Sequence, residues 1–127
     1  MDVFVYGTLT SPERVAEVVD SYVFVGPARL SGLHPVEGRY PTLAPGGDAA
    51  GRLLRTDDIA ALDAYEGVDS GLYVRVEIPR TDGGTAAVYV GDPVRLDADA
   101  DWPGTGSFRA RVRRYVDEEA VAIQPLE

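Results

Sequence analysis

Hydrophobic positions along the chain follow two spacings, one typical of strands and one typical of helices, with Gly- and Pro-rich turns between them. Residues 3–6 are all apolar or aromatic, which predicts a short strand buried on both faces. Residues 72–78 alternate, with Val74, Val76 and Ile78 on one face, and predict a half-buried strand. Further strands are predicted at residues 22–26, 28–33, 51–55 and 85–90, the last of which returns from a hairpin turn at residues 81–84.

The first predicted helix follows the first strand. Thr10 is expected to cap it, with Pro12 in the first turn and Glu13 completing a capping box. Val15 and Val19 then recur at helical spacing and are expected to pack on the core. A final helix is predicted from about Ser107, with an apolar stripe of Phe108, Val112, Tyr115 and Val116. Its arginines, Arg109, Arg111, Arg113 and Arg114, are expected on the solvated face.

A second helix is predicted between these two. Thr56 is expected to cap it, and Ile59, Leu62 and Tyr65 form its apolar face. Gly67 stands where a glycine commonly ends a helix.

Three segments are expected to be irregular. Residues 34–39 read as a loop in which His34 has no role, and residues 44–50 read as a turn because they are rich in Pro, Gly and Asp. Residues 91–106 have a similar composition, with Trp102 as the large apolar anchor. We expect all 127 residues to form one domain, since the length suits a single core.

Composition limits the classes of partner. Asp and Glu number 21 against 12 basic residues, all of them arginine, and the net charge is −9. A surface this acidic argues against nucleic acid as a partner and is typical of halophilic proteins, in which salt screens the self-repulsion. We find neither a leader pattern nor an apolar run long enough for a membrane helix. The expectation is therefore a cytoplasmic protein with no membrane partner.

Composition also limits the chemistry. The chain has no cysteine and one histidine, which excludes disulfides, thiol nucleophiles, thiolate zinc sites and multi-histidine metal sites. The acidic run Asp97, Asp99 and Asp101 lacks the glycine and the distal glutamate of a calcium loop. We expect no metal and no cofactor.

Glu66 is the strongest candidate for acid–base chemistry. It falls at the predicted C-terminal end of the second helix, between Tyr65 and Gly67. The helix dipole and partial burial would both raise its pKa, as a general base working near neutral pH requires. A solvated acid at a helix end is an equally ordinary explanation of the same residues.

The turn after the first strand is a candidate anion site. Tyr6, Gly7, Thr8 and Leu9 lie between a strand and a helix, where backbone N–H groups lack partners and can bind a carboxylate. An ordinary turn after a core strand would have the same sequence features.

Together, Tyr6-Gly7-Thr8-Leu9 and the later Tyr65-Glu66-Gly67 resemble motifs of the gamma-glutamylcyclotransferase-like superfamily, in its avirulence-induced-gene-like and gamma-glutamylamine cyclotransferase branch. The resemblance implies an α+β fold, a small mixed β-barrel flanked by a few short helices. It also implies that the 6–9 loop cradles the glutamyl group of a small γ-glutamyl substrate and that Glu66 is the general acid and base. Tyr73 would line the pocket, and the products would be 5-oxoproline and a free amine.

Some alternatives stay open. Residues 40–43 resemble a family segment and fit either a pocket wall or a short strand with an edge proline. The chain lacks the basic, Asn-rich segment that many family members carry after the position of Leu9, so the resemblance does not specify the leaving amine. A binding or regulatory protein without turnover, using the same pocket, is the alternative function. We expect a monomer or a weak homodimer.

Overall fold

A computed structural model describes residues 1–126, with the side chain of Thr8 outside the description. Its strands are β1 (Asp2–Val5), β2 (Val23–Val36), β3 (Thr42–Arg55), β4 (Tyr73–Pro79), β5 (Thr85–Gly91) and β6 (Ala122–Pro125). Its α-helices are α1 (Pro12–Val18), α2 (Ile59–Glu66), α3 (Pro93–Leu96) and α4 (Phe108–Glu118), and a 3-10 helix spans Thr8–Thr10. None of the helices in residues 1–126 is long and apolar enough to cross a membrane.

The six strands form one curled sheet in the order β4-β5-β1-β3-β2-β6. β1 runs parallel to β5, and the other neighbouring pairs are antiparallel. The sheet curls until its two edges meet at a bridge between Arg80 and Ile123, where the Thr81 N–H donates to the Ile123 carbonyl at 2.9 Å. The α+β fold expected from the resemblance, a small mixed β-barrel with short flanking helices, is confirmed as a curled half-barrel.

The central strand β1 is buried on both of its faces, as predicted. Phe4 points into the half-barrel and belongs to one hydrophobic cluster with Val112 and Ile123. Val3 and Val5 point to the other face, where a second cluster packs under α1 and α2. Because β1 lies between two layers, its C-terminal end is held in a fixed position from both sides.

The hairpin formed by β2 and β3 corrects several predictions. Residues 23–26 and 28–33 belong to one 14-residue strand that ends at Val36, so residues 34–36 are strand rather than loop, and residues 44–50 are strand rather than turn. Register shifts between Phe24 and Gly26 and between Ser31 and Leu33 accommodate the residues that read as breaks. The predictions were wrong because the ladder continues on both sides of these two irregularities, and the prolines take paired positions in it.

The predicted starts of the first two helices are shifted by one or two residues. Ser11, not Thr10, is the N-cap of α1, and the Thr10 hydroxyl donates to the Gly7 carbonyl at 2.7 Å. Asp58 is the N-cap of α2, while the Thr56 hydroxyl accepts from the Asp58 N–H at 3.1 Å. Tyr65, predicted on the apolar face, is 42% exposed. Gly67 ends α2 in the left-handed conformation, as predicted.

The C-terminal third contains more regular structure than predicted. Residues 93–96 form α3 inside the segment expected to be irregular, and β6 was not predicted at all. Trp102 is buried against Phe108 and Tyr115 of α4, which supports its expected role as an anchor. The predicted final helix is confirmed, with the Ser107 hydroxyl accepting from the Ala110 N–H at 3.1 Å.

Candidate active site

A pocket of about 470 Å³ opens where β1 ends, next to the C-terminal end of α2. Of the predicted site residues, Tyr6, Gly7, Leu9, Glu66 and Tyr73 line it together. Thr8 is the sixth, and its side chain lies outside the described part of the chain. The other lining residues are Phe4, Val5, Arg14, Tyr40, Pro41, Tyr65, Leu72 and Tyr89.

The loop after β1 forms one wall. Its turn is closed on the Gly7 carbonyl, which accepts from the Thr10 N–H at 3.1 Å and from the Thr10 hydroxyl at 2.7 Å. Neither the Gly7 N–H nor the Leu9 N–H donates to a backbone carbonyl of a neighbouring element in the described part of the chain. A loop of this kind offers backbone donors to an anionic group.

Helix α2 supplies Glu66 as its last residue. Gly67 follows with φ 69°, and its N–H donates back to the Ala64 carbonyl at 3.2 Å, so the chain turns sharply after the glutamate. Leu62, one turn earlier, is fully buried and fixes the helix on the sheet. The side chain of Glu66 is thereby directed into the pocket instead of along the surface.

Burial raises the pKa of Glu66 from its ordinary value of 4.5 to about 7. The carboxylate loses hydration in the pocket, and this penalises its charged form. Near neutral pH the group therefore exists as a mixture of acid and carboxylate. Such a group can accept a proton and return it within one reaction cycle.

Tyrosine hydroxyls surround this carboxyl group. The Tyr6 hydroxyl donates to the Tyr89 carbonyl at 2.6 Å, and the Tyr73 hydroxyl donates to the Pro41 carbonyl at 2.6 Å. Burial, reinforced by the charge of Glu66, holds the pKa of both phenols above the ordinary value of 10.0. Both phenols therefore stay neutral, and their oxygens keep a lone pair to accept a hydrogen bond.

Tyr89 is fixed by a contact that the sequence analysis missed. Its hydroxyl donates to Asp63 at 2.7 Å, and the other carboxylate oxygen of Asp63 lies 3.2 Å from an Arg75 guanidinium nitrogen. Asp63 lies one turn before Glu66 on α2, and Tyr89 lies opposite Arg75 across β4 and β5. Tyr89 fell within the strand predicted at residues 85–90, but the pattern of that strand does not reveal that Asp63 of α2 is its partner.

The remaining lining residues answer an open alternative. Tyr40 and Pro41 are part of the pocket wall, while Thr42 and Leu43 begin β3. Residues 40 and 41 therefore fit the prediction of a pocket wall, and residues 42 and 43 fit the prediction of a strand. No cluster of metal-ligating side chains occurs in the described part of the chain.

Comparison with family profiles identifies the chain. The profile of the family described as "Gamma-glutamyl cyclotransferase, AIG2-like" matches residues 3–109. The chain belongs to this family. The matched region includes every lining residue of the pocket. A comparison with curated proteins gives no match.

Solved structures with the same fold support the assignment. An uncharacterized protein from Homo sapiens is 25% identical with a TM-score of 0.63, over 72% of this chain and 66% of that protein. A structure named gamma-glutamyl cyclotransferase is 24% identical with a TM-score of 0.59 and the same coverage, and at that identity it supports the fold alone. An Arabidopsis thaliana protein is 28% identical with a TM-score of 0.55, over 93% of this chain and 84% of its own. The aligned part thus spans just under two thirds of the human protein.

Proposed function

We propose that this protein is a γ-glutamyl cyclotransferase that releases 5-oxoproline and a free amine from a small γ-glutamyl compound. The observation that carries the proposal is Glu66, a carboxyl group with a pKa of about 7 in a pocket that is also lined by Gly7 and Leu9, whose N–H groups donate to no neighbouring described element. Membership of the family supports the same class of reaction.

The loop would hold the glutamyl group. The N–H groups of Gly7 and Leu9 would bind the α-carboxylate, with Thr8 between them in the same loop. The phenol oxygens of Tyr6 and Tyr73 would accept hydrogen bonds from the α-ammonium group, since their own protons are donated to carbonyls. These contacts would bring the α-nitrogen next to the γ-carbonyl of the same molecule.

Glu66 would then transfer the protons. Its carboxylate takes one proton from the α-ammonium group, and the freed amine attacks the γ-carbonyl carbon to close a five-membered lactam. As the C–N bond to the leaving group breaks, the protonated Glu66 gives that proton to the leaving nitrogen. The regenerated carboxylate then takes the second proton from the ring nitrogen, and this proton ends on the released amine as its ammonium form. The products are 5-oxoproline and an amine, and no electrons are transferred to or from an acceptor. Because nucleophile and electrophile share one molecule, positioning and proton transfer account for the rate.

The test is release of 5-oxoproline, detected by mass spectrometry, from a panel of γ-glutamyl amines and γ-glutamyl amino acids in molar KCl. We expect turnover with at least one substrate class, reduced about a hundredfold or more in Glu66→Gln. The control is Glu77→Gln, which makes the same change at an exposed position on β4 outside this pocket.

Two outcomes would contradict the proposal. If Glu66→Gln turned over substrate like the wild type, Glu66 would not be the proton-transfer group. If a folded wild-type sample bound γ-glutamyl compounds without releasing product, the protein would be a binding protein with the same pocket.

A further inference from the structure

The pocket wall contains one cation that the proposed reaction does not use. Among the described lining residues, Arg14 is the basic residue, and Glu66 is the acidic one. Arg14 projects from α1, the helix that follows the 6–9 loop. This guanidinium is therefore close to the reaction site but not part of the loop that would hold the glutamyl group.

Arg14 has only a weak partner of its own. Its guanidinium lies 3.7 Å from the Glu17 carboxylate on the same helix, and the two side chains are 50% and 68% exposed. An ion pair so open to solvent stabilises the fold little. The guanidinium is consequently available to an anion in the pocket at small cost.

We infer, on the basis of the proposed function, that Arg14 determines substrate specificity by binding a carboxylate on the leaving amine. The backbone donors of Gly7 and Leu9 already serve the α-carboxylate of the glutamyl group, so Arg14 is left for a second carboxylate. An arginine fork pairs with a carboxylate through two parallel hydrogen bonds. The substrates are then γ-glutamyl amino acids or peptides, not neutral γ-glutamyl amines.

The charge of the whole protein gives Arg14 its effect. With a net charge of −9, the surface repels over long range a substrate that carries two carboxylates and one ammonium group and is therefore a net anion. A guanidinium in the pocket attracts the carboxylate of the leaving group at short range. The repulsion from the more distant surface charges is weaker there, because it falls with distance and with screening.

The aromatic side chains at the pocket indicate what the leaving amino acid carries. Tyr40 and Tyr65 both line the pocket and are 60% and 42% exposed, so their rings are accessible from its open side. Aromatic rings bind apolar and aromatic groups by stacking and edge contacts. An amino acid with an aromatic or large apolar side chain therefore fits this part of the site better than a small or charged one.

The test uses two substrates that differ by one carboxylate. γ-Glutamyl-phenylalanine and γ-glutamyl-phenethylamine have the same glutamyl group and the same ring, and only the first has a carboxylate on its leaving amine. We expect Arg14→Gln to lower kcat/KM for γ-glutamyl-phenylalanine about tenfold, mainly through KM, and to change it less than about twofold for the phenethylamine compound. Arg29→Gln, at a similarly exposed arginine paired with Asp48 on the β2–β3 hairpin, is the matched control.

Equal losses on both substrates would overturn the inference, because Arg14 would then hold the common glutamyl group. No loss on either substrate would overturn it as well. Both results leave the proposed reaction standing.

Binding gives a readout that does not depend on turnover. Calorimetric titration of Glu66→Gln and of the Glu66→Gln, Arg14→Gln double variant gives a Kd for each compound. The ratio of the two Kd values measures the effect of Arg14 on the binding of that compound. If the wild type proves catalytically silent, a tenfold loss of affinity confined to γ-glutamyl-phenylalanine still supports the role of Arg14. Affinities that are equal for both compounds, or absent for both, contradict it.

Discussion

At the scale of single residues, the chemistry depends on how Glu66 is buried. Position in the sequence predicted a raised pKa from two causes, the helix end and partial burial. The structure assigns the shift to burial, which removes the carboxylate from water. Neutral tyrosines around it add oxygen lone pairs but no positive charge.

The first prediction concerns the pH dependence of the rate. The carboxylate of Glu66 must accept the first proton, so kcat/KM should fall about tenfold per pH unit below an apparent pKa of about 7. Initial rates of 5-oxoproline release between pH 5 and 9, with the ionic strength held constant, measure it. A profile that stays flat down to pH 5 would exclude Glu66 as the base.

The second prediction concerns stability. The folded state binds the Glu66 proton more tightly than the unfolded state, so Glu66 lowers the free energy of unfolding as pH rises from about 4.5 to about 7. Glu66→Gln removes this penalty, so above pH 7 its free energy of unfolding should exceed that of the wild type by at most about 3 kcal/mol. It should therefore unfold at a higher denaturant concentration. Near pH 4 the two proteins should be nearly equal in stability.

Urea titrations of both proteins at pH 4 and pH 8 measure this difference. Glu77→Gln, at an exposed glutamate, should show no such pH-dependent gain. A gain of Glu66→Gln over wild type that is the same at both pH values would contradict the explanation by burial of charge.

At the scale of elements, the end of α2 decides where Glu66 points. Gly67 adopts φ 69°, and a Cβ added there would lie 3.3 Å from both the Leu72 Cβ and the Ser70 hydroxyl. Leu72 is itself a lining residue, and its N–H donates to the Gly67 carbonyl at 3.1 Å. The turn after α2 and the pocket wall are therefore one structural unit.

The third prediction tests this unit with Gly67→Ala. A non-glycine residue in the left-handed conformation costs about 1 kcal/mol, and the crowding at Leu72 would shift the end of α2. We expect a loss of about 1 to 2 kcal/mol in stability and a loss of kcat larger than that destabilisation explains. Thermal unfolding and steady-state kinetics on the same samples measure the two effects.

Gly83→Ala is the matched control. Gly83 also has a positive φ of 105°, but a Cβ there meets nothing within 4 Å, and it lies in the β4–β5 turn. The Gly83→Ala variant should be less stable than the wild type and should keep its kcat. Equal kcat for both variants would show that the end of α2 does not position the catalytic group.

Elements also differ in how well their sequences revealed them. β4 and β5 were predicted within about a residue because the alternation of β4 and the hairpin turn at Gly83-Gly84 agree. The β2–β3 hairpin was divided wrongly, since the register shifts next to Gly26 and at Gly32 depend on the partner strand. β6 has only four residues and exists because β2 offers it an edge to pair with.

At the scale of the whole molecule, charge is the dominant property. Acidic residues outnumber basic ones by 21 to 12, and the ion pairs Arg14–Glu17 and Arg29–Asp48 involve side chains that are half exposed or more. Such pairs contribute little each, so the self-repulsion of the remaining acids is the larger effect.

The fourth prediction follows from this imbalance. Raising KCl from 0.1 M to 2 M should screen the repulsion and raise Tm by about 4 °C or more, equivalent to about 1 kcal/mol. Differential scanning calorimetry at pH 8 measures it, with sucrose at matched osmolality as the control for exclusion of solute. A Tm that rises equally in sucrose would mean that screening of charge is not the cause.

The sequence by itself determined the identity of most elements, the general class of fold and the residue types available for chemistry. These depend on local periodicity, on helix and turn signals and on composition, all of which are properties of neighbouring residues. The absence of cysteine and the single histidine limited the chemistry in the same way.

The tertiary structure alone decided which of those residues meet. Tyr6 lies far in sequence from Glu66 and Tyr73, and the three line one pocket because α2 packs beside the end of β1 and because β4 pairs with β5 next to it. The pairing of Tyr89 with Asp63 and the approach of Arg14 to the pocket arise in the same way. Burial and its effect on a pKa depend on every element that surrounds a group, so no local pattern specifies them.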